Sequence, residues 1–300
     1  MKRLGYLSVF ATTLIWGFSF VSIKISLEVF SPTAIIFYRY ILASLFFMGM
    51  MVKTKESFKI DKADIFLLLK SSIFGVVLYF YADIICVDLL NASTASVILS
   101  LVPIVIMISN YFLYRERLSK VKMGAIFISV IGIMILFSDS LSFQGEGLVG
   151  YISMFAAILL WAYFSGASAK LTKKYSELKI SSFQSFIALL VFAPFMLFQQ
   201  TDYSTVTYIH WMNILYLGLI SSAVGFYLYV YSIKKIGATE TSLFVNFIPV
   251  VTFFFGFLLL NETMKTNQII GGLIIIIAMS YSVVSDLKIN KKYNHEVLDY

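Results

Sequence analysis

Long uninterrupted apolar runs constrain this 300-residue chain more than any other feature. The runs near 92–114, 238–260 and 268–285 approach or exceed the roughly 20 residues that an α-helix needs to cross a bilayer. Because these runs are continuous rather than alternating, they exclude a transmembrane β-barrel. Only 13% of the residues are charged, which leaves too little polar surface to cover a soluble core of this size. The sequence therefore predicts an all-α protein that crosses the membrane many times.

The apolar pattern predicts ten membrane spans joined by short connections. These spans are 5–27, 32–52, 65–89, 92–114, 122–138, 148–169, 180–198, 208–233, 238–260 and 268–286. Residues 288–300 follow the last span and are expected to form a cytoplasmic tail.

The chain repeats itself after about 145 residues. "GYLSVFATTLIW" at 5–16 and "GYISMFAAILLW" at 150–161 share seven of twelve residues. Further along, Pro103 and Pro249 each precede a glutamate by thirteen residues. The sequence thus predicts two five-helix repeats, at 1–139 and 146–287. Because five is odd, the second repeat must enter the membrane in the opposite direction.

The basic residues of the loops agree with this inversion. The loop after the fourth span carries four basic residues, whereas its counterpart after the ninth carries one. The same reversal occurs in the other three pairs of equivalent loops. Lys and Arg concentrate on the cytoplasmic side of membrane proteins, so both termini are expected to be cytoplasmic. All but three of the 23 basic residues then lie on that side, the exceptions being Lys24, Arg39 and Lys265. This placement accounts for the net charge of +7 without a nucleic-acid partner.

Several segments resemble the EamA-type family of the drug/metabolite transporter superfamily. In the first half they are "LIWGFSF", the arginine Arg39 after "SP", and "NASTASVILSLVPIV". In the second half they are "LLWAYFS", "GATETSLFVNFIPVV" and "IIGGLIIIIAMS". The likeness extends over nearly the whole chain. It departs from a full repeat at one place, because Gln184 occupies the position that Arg39 has in the first half.

The resemblance implies a ten-helix carrier in the prokaryotic plasma membrane that moves small metabolites, often outward, by alternating access. It implies no enzyme activity, no cofactor and no particular substrate. The expected partners are a small-molecule substrate and the lipid bilayer, and a homodimer stays open. Inverted repeats favour transport in their own right, because two similar halves can exchange conformations around a site near the midplane.

Paired residues of the two halves suggest where that site lies. Trp16 with Trp161, Tyr81 with Tyr227, and Ser100 with Asn246 occupy equivalent positions about half a span from the nearest loop. With Tyr79 they are expected to line one central cavity, which is apolar and aromatic with a few polar groups. No basic residue is expected in this cavity to hold an anionic group. This composition favours a neutral or zwitterionic, amino-acid-like solute, with a cation as the next choice.

Two charged residues inside the spans have two interpretations. Asp83 and Arg39 are predicted to neutralise each other and help the outer helix ends to pack, since ionisable side chains are costly in a membrane. Alternatively, Asp83 binds a proton or a cationic substrate. Arg39 matches a family position and is interpreted as structural.

Four further residues are expected to shape the helices. Pro103 and Pro249 lie within the fourth and ninth spans and should bend them, because proline removes a backbone hydrogen bond. Glu116 and Glu262 at the ends of these spans should accept backbone N–H groups where the next helix begins, or pair with nearby basic residues.

Other functions are weaker alternatives. The two histidines and one cysteine are too few and too distant for a metal site or a catalytic triad. A channel would be expected to show a ring of charges, and none is apparent. A membrane receptor or scaffold without carrier activity stays open.

Overall fold

The computed structural model describes residues 2–114, 120–136, 146–199, 201–263, 265–267, 269–278 and 280–281. Five helices form the first half: α1 (Lys2–Ser26), α2 (Pro32–Thr54), α3 (Lys62–Leu89), α4 (Ala92–Leu99 and Val102–Tyr114) and α5 (Lys120–Leu136). Five form the second half: α6 (Glu146–Leu171), α7 (Glu177–Phe198), α8 (Tyr208–Ile236), α9 (Ala238–Leu260) and α10 (Ile269–Ala278). The protein is thus an all-helical membrane protein, and its ten helices lie where the sequence predicts them.

Eight of these helices are long and apolar enough to cross a bilayer. The two shorter apolar helices are Met123–Gly132, within α5, and α10. Several helices begin at a side chain that caps the backbone, as the N-terminal N–H groups require. Ser31 caps α2, Asn91 caps α4 and Ser176 caps α7. The described residues do not include Glu116 or the tail 288–300. Of the connection 139–146 they include only the last residue.

The two halves run in opposite directions through the membrane. The Lys24 ammonium, near the end of α1, donates to the carbonyl oxygen of Leu90 at 2.9 Å. Gly150, near the start of α6, packs on the same residue: a methyl group on Gly150 would lie 2.9 Å from Cγ of Leu90. The first helix of one half therefore ends on the side where the first helix of the other begins.

The first helix of each half packs mainly against helices of the other half. α1 packs mainly against α8 and α9, and α6 packs mainly against α3 and α4. At one close contact, the hydroxyl of Thr252 donates to the carbonyl oxygen of Gly17 at 2.8 Å. A glycine there lets the two backbones approach, which is the usual way helices associate in lipid. The halves are therefore interlocked rather than placed side by side.

Four helices are irregular near their middle, in two equivalent pairs. α4 is interrupted at Ser100 and Leu101, and α9 contains a 3₁₀ turn at Phe244–Phe247. Each interruption comes just before the proline, Pro103 or Pro249, that the sequence marks as a bend. α3 and α8 instead contain π-helical turns, at Ile73–Leu78 and Tyr216–Gly225, which the sequence did not predict. Such wider turns are rare and often accompany functional sites.

Candidate functional site

An aromatic cluster lies between α1 and α6. The ring centroids of Trp16 and Trp161 are 5.3 Å apart, and the rings meet edge to face. Tyr79 lies 4.5 Å from Trp161, and Tyr229 lies 5.0 Å from Trp16 and 5.1 Å from Trp161. These distances are typical of favourable aromatic pairs. The repeated tryptophan thus marks the point where the inverted halves meet.

Hydrogen bonds fix the orientation of both indole rings. The Trp16 N–H donates to the backbone carbonyl of Ser221 at 3.2 Å, inside the π-helical turn of α8. The Trp161 N–H donates to the Tyr229 hydroxyl at 3.0 Å. A buried indole N–H needs such an acceptor. Each tryptophan is therefore tied to α8, and the two do not need a ligand to hold their places.

A small cavity opens beside this cluster. Its volume of about 20 Å³ is enough for roughly one water molecule. Its walls come from α1, α3, α4, α6, α8 and α9, so both halves contribute. The lining residues are Trp16, Ser19, Phe20, Tyr79, Phe80, Asp83, Leu99, Trp161, Ser221 and Ile248.

Two polar groups on the cavity wall lack a partner in the described part of the chain. One is Oδ1 of Asp83, a residue only 3% exposed, and the other is the hydroxyl of Ser221. Buried polar atoms are normally hydrogen-bonded, so each unpaired one needs an explanation. An acceptor and a hydroxyl on one wall of an aromatic cavity can serve a donor group of a bound molecule.

Arg39 borders this cavity from behind Phe80. Its side chain is fully buried, and its Nε donates to the Ser222 hydroxyl at 3.0 Å. The guanidinium carbon lies 4.5 Å from the centroid of the Phe80 ring, a cation–π contact. A basic residue therefore lies against a lining residue of the cavity, although Arg39 itself is not on the cavity wall.

The predicted ion pair between Arg39 and Asp83 is not direct. The two groups are close enough to interact electrostatically. Among the described residues, however, no ion pair within 4.0 Å joins them. Phe80 lies one helical turn from Asp83 and covers the guanidinium. The two charged side chains are therefore buried near each other without a direct ion pair between them.

The structure brings together part of the predicted site. Trp16, Tyr79 and Trp161 line the cavity. Ser100 and Asn246 are fully buried in the interruptions of α4 and α9, beside the lining residues Leu99 and Ile248 but not on the wall itself. Both polar atoms of the Asn246 amide are without a hydrogen-bond partner in the described residues, whereas Ser100 donates to the carbonyl of Val97 at 2.6 Å.

The placement of Tyr81 and Tyr227 on the cavity wall was wrong. Tyr81 is 43% exposed on the outer face of α3, and the half-buried Tyr227 stacks on Tyr231 beside Glu177. The reason is helical geometry: residues two apart point in nearly opposite directions, whereas residues four apart share a face. Tyr79 and Asp83 face the cavity, so Tyr81 between them faces away.

The same geometry brings in a residue that the sequence pattern did not single out. Tyr229 is the repeat counterpart of Asp83 and is fully buried in the cluster, where Ser165 also lies at hydrogen-bond distance. Phe80 and its counterpart Phe226 likewise pack against the cluster. The signal in the sequence was the four-residue spacing from Tyr79 to Asp83, repeated from Gly225 to Tyr229.

Two further charged side chains, Lys24 and Glu262, have structural contacts at helix ends. Lys24 donates to the carbonyl oxygens of Val87, Asp88 and Leu90, each at 2.9 Å, and so caps the end of α3. Glu262 accepts from the N–H groups of Ala92 and Ser93 at 2.8 and 2.9 Å, at the start of α4. Glu262 thus accepts backbone N–H groups as expected, but from a helix of the other half rather than from the next helix.

The described ranges contain no group of three His, Cys, Asp or Glu side chains that could hold a metal ion. The site is built from aromatic rings, hydroxyls and two charges. Its chemistry is suited to binding an organic molecule.

Ten helices in two duplicated, inverted halves, which meet at a small central cavity, define a helical membrane transporter rather than an enzyme. The chain belongs to the EamA-like transporter family, whose sequence profile matches residues 3–138 and again residues 148–284.

Relatives that align over nearly the full chain agree with this assignment. "Uncharacterized transporter YetK" of Bacillus subtilis is 29% identical over 90% of this chain and 84% of its own length. A Salmonella typhimurium protein named "Probable amino-acid metabolite efflux pump" is 23% identical over 94% of this chain and 95% of its own. A solved crystal structure has the same fold, with a TM-score of 0.71 and 16% identity over 95% of this chain and 98% of that one.

Proposed function

We propose that this transporter exports small amino-acid-like metabolites from the bacterial cell by alternating access around the cavity between Trp16 and Trp161. The observation that carries this proposal is Asp83: a carboxyl group with an unpaired oxygen on the wall of an aromatic cavity to which both halves contribute. A site near the pseudo-symmetry axis is what exchange of conformations between inverted repeats requires. The Salmonella typhimurium relative, by its name, supports the substrate class and the direction.

The size of the cavity fits a carrier that closes over its site. A volume of about 20 Å³ holds no metabolite, so binding requires the helices around it to separate. The irregular turns of α3, α4, α8 and α9 border the cavity and supply the places where these helices can bend. Aromatic side chains leave only this small space between the two halves. A channel with a permanently open pore is therefore disfavoured as the function.

Counterflow in liposomes tests this function. Purified protein is reconstituted with an unlabelled solute inside, and uptake of the labelled solute is measured for amino acids, amines, sugars and nucleobases. We expect the unlabelled solute inside to accelerate uptake of labelled amino acids, because a carrier returns across the membrane with solute bound to its site. Uptake without any acceleration would indicate a channel, and binding without uptake would indicate a receptor.

Two variants connect transport to the site. Trp161→Ala removes an aromatic wall, and Asn246→Leu removes the unpaired amide in the interruption of α9. Both should lower exchange by at least about tenfold while folded protein is still recovered, since effects on substrate binding of one well-placed group reach this size. Transport equal to that of the parent in both variants would contradict the site.

A further inference from the structure

Arg39 and Asp83 are a buried pair of opposite charges with free hydrogen-bonding capacity on both sides. Asp83 leaves Oδ1 unpaired, and Arg39 leaves one terminal nitrogen, Nη1, unpaired among the described residues. Both side chains are almost completely buried, at 3% and 1% exposure. The Phe80 ring lies under the guanidinium of Arg39, and Phe80 lines the cavity together with Asp83.

This arrangement is costly if its only purpose is packing. Removing charges from water is unfavourable, and attraction repays the cost only where the charges pair closely and their remaining hydrogen bonds are satisfied. Here the described residues supply Arg39 with Ser222 and an aromatic face, and they leave one carboxylate oxygen of Asp83 without a donor. The missing partners are an acceptor for the arginine and a donor for the carboxylate.

We propose that Arg39 and Asp83 bind the two charged groups of a zwitterionic substrate: the carboxylate binds to Arg39 and the ammonium group to Asp83. This inference rests on the proposed transport function and narrows its substrate to solutes that carry both charges, such as α-amino acids. A guanidinium offers a planar pair of donors that matches a carboxylate. The aromatic wall of Trp16, Trp161 and Tyr79 contacts the apolar part of the molecule.

The pairing also explains why a simple cation or anion is disfavoured. An amine satisfies Asp83 and leaves the arginine unpaired, whereas a carboxylic acid does the reverse. A site built to hydrogen-bond a substrate group strongly rejects an analogue that lacks it, because a buried polar group is then left without a partner. A zwitterion satisfies both groups and leaves the net charge of the site unchanged.

The repeat supplies an internal comparison. Gln184 occupies the position of Arg39 in the second half, and Tyr229 occupies that of Asp83. Gln184 is equally buried and donates to the Ser71 hydroxyl at 2.8 Å. Because the fold accepts a glutamine at one of the two equivalent sites, Arg39→Gln is a conservative way to remove the charge. Gln184→Leu is the matched control, with no change of charge.

The experiment measures selectivity in liposomes loaded with leucine or phenylalanine. Each amino acid competes against its decarboxylated amine (isoamylamine or phenethylamine) and its deaminated acid (4-methylpentanoate or 3-phenylpropanoate). The parent and Gln184→Leu should prefer the amino acid over both analogues by at least about tenfold. Arg39→Gln should lose the preference for the amino acid over the amine, and Asp83→Asn should lose it over the acid. Arg39→Lys should keep the preference but weaken it, because lysine keeps the charge without the planar fork.

The outcomes separate the two proposals. If the parent exchanges none of these six compounds, the amino-acid function is wrong and this inference falls with it. If the parent exchanges amino acids but exchanges the amine or the acid equally well, only the proposed binding of the two charged groups by Arg39 and Asp83 is overturned. The parent competition alone decides this, so the test stands even where Arg39→Gln yields no folded protein. Unchanged selectivity in a folded Arg39→Gln would overturn it as well.

Discussion

At the scale of single residues, the two sides of α3 have different surroundings. Tyr79 is 6% exposed and packs on Trp161, whereas Tyr81, two residues later, faces outward. Both are tyrosines of one helix, so they form a matched pair for mutation. Their chemistry is identical, and only their direction differs.

We expect Tyr79→Leu to lower transport by at least about tenfold, because it replaces an aromatic wall of the cavity with a branched aliphatic side chain. Tyr81→Leu should transport like the parent. Exchange rates in liposomes, normalised to folded protein from size-exclusion chromatography, measure both. Equal losses in the two variants would show that direction on α3 does not decide function.

The sequence predicts the position of a residue along a helix better than its direction. The pairing of Trp16 with Trp161 was visible because both the residue and its register are duplicated. Tyr81 and Tyr227 are duplicated too, yet they lie off the wall. Arg39 was interpreted as part of an outer ion pair, because nothing in the sequence shows that its guanidinium packs on the Phe80 ring. Rotation and side-chain packing are decided by contacts between helices, which one sequence does not display.

At the scale of elements, the π-helical turn of α3 depends on a glycine. An added methyl group on Gly75 would lie 2.3 Å from Cβ of Phe164 on α6, which is closer than such atoms approach. The turn and the crossing with α6 therefore fit only where no side chain intervenes. Gly49 on α2 offers the opposite case, with no atom within 4 Å of the added methyl group.

Gly75→Ala should lower the free energy of unfolding by about 1–3 kcal/mol, the usual cost of forcing an extra carbon into a packed contact. Gly49→Ala should be neutral or stabilising by up to about 1 kcal/mol, since alanine favours a helix over glycine. Thermal unfolding of both variants in the same detergent measures the difference. A Gly75→Ala variant as stable as Gly49→Ala would mean that α3 and α6 do not cross as closely as described.

Elements of this kind were only partly predictable. The interruptions of α4 and α9 follow from Pro103 and Pro249, because proline cannot donate to the preceding turn. The π-helical turns contain no proline and show no marker in the sequence. They arise where glycines allow a neighbouring helix to approach, and that neighbour belongs to the other half of the chain.

At the scale of the whole molecule, the sequence predicts the most. Ten spans, their duplication and the opposite direction of the halves all follow from long apolar runs and repeated motifs. The contact of Leu90 with both Lys24 and Gly150 then shows the inversion in space. Which face of the protein meets the cytoplasm rests on the loop charges, from which we infer that both termini are cytoplasmic.

Single cysteines test this orientation. Cys86 is buried and is first replaced by alanine; one cysteine is then placed at Lys120 or at Lys265. An impermeant thiol reagent added to intact cells should label only the variant at 265, because positive loops stay inside. Both variants should be labelled once the cells are opened, which serves as the control. Labelling at 120 in intact cells would reverse the orientation, and labelling at both positions would refute the inversion.

The interlocked packing of α1 has a consequence for how the protein is made. The partner of Trp16, Ser221, follows it by 205 residues, so α1 leaves the ribosome long before α8 exists. At roughly 5–20 residues per second, α1 stays in the bilayer for about 10–40 s with its main contact surfaces facing lipid. The first half is therefore unfinished until the second has been synthesised. A truncated chain that ends before α8 should be recognised as incomplete by membrane quality control, however many spans it has inserted.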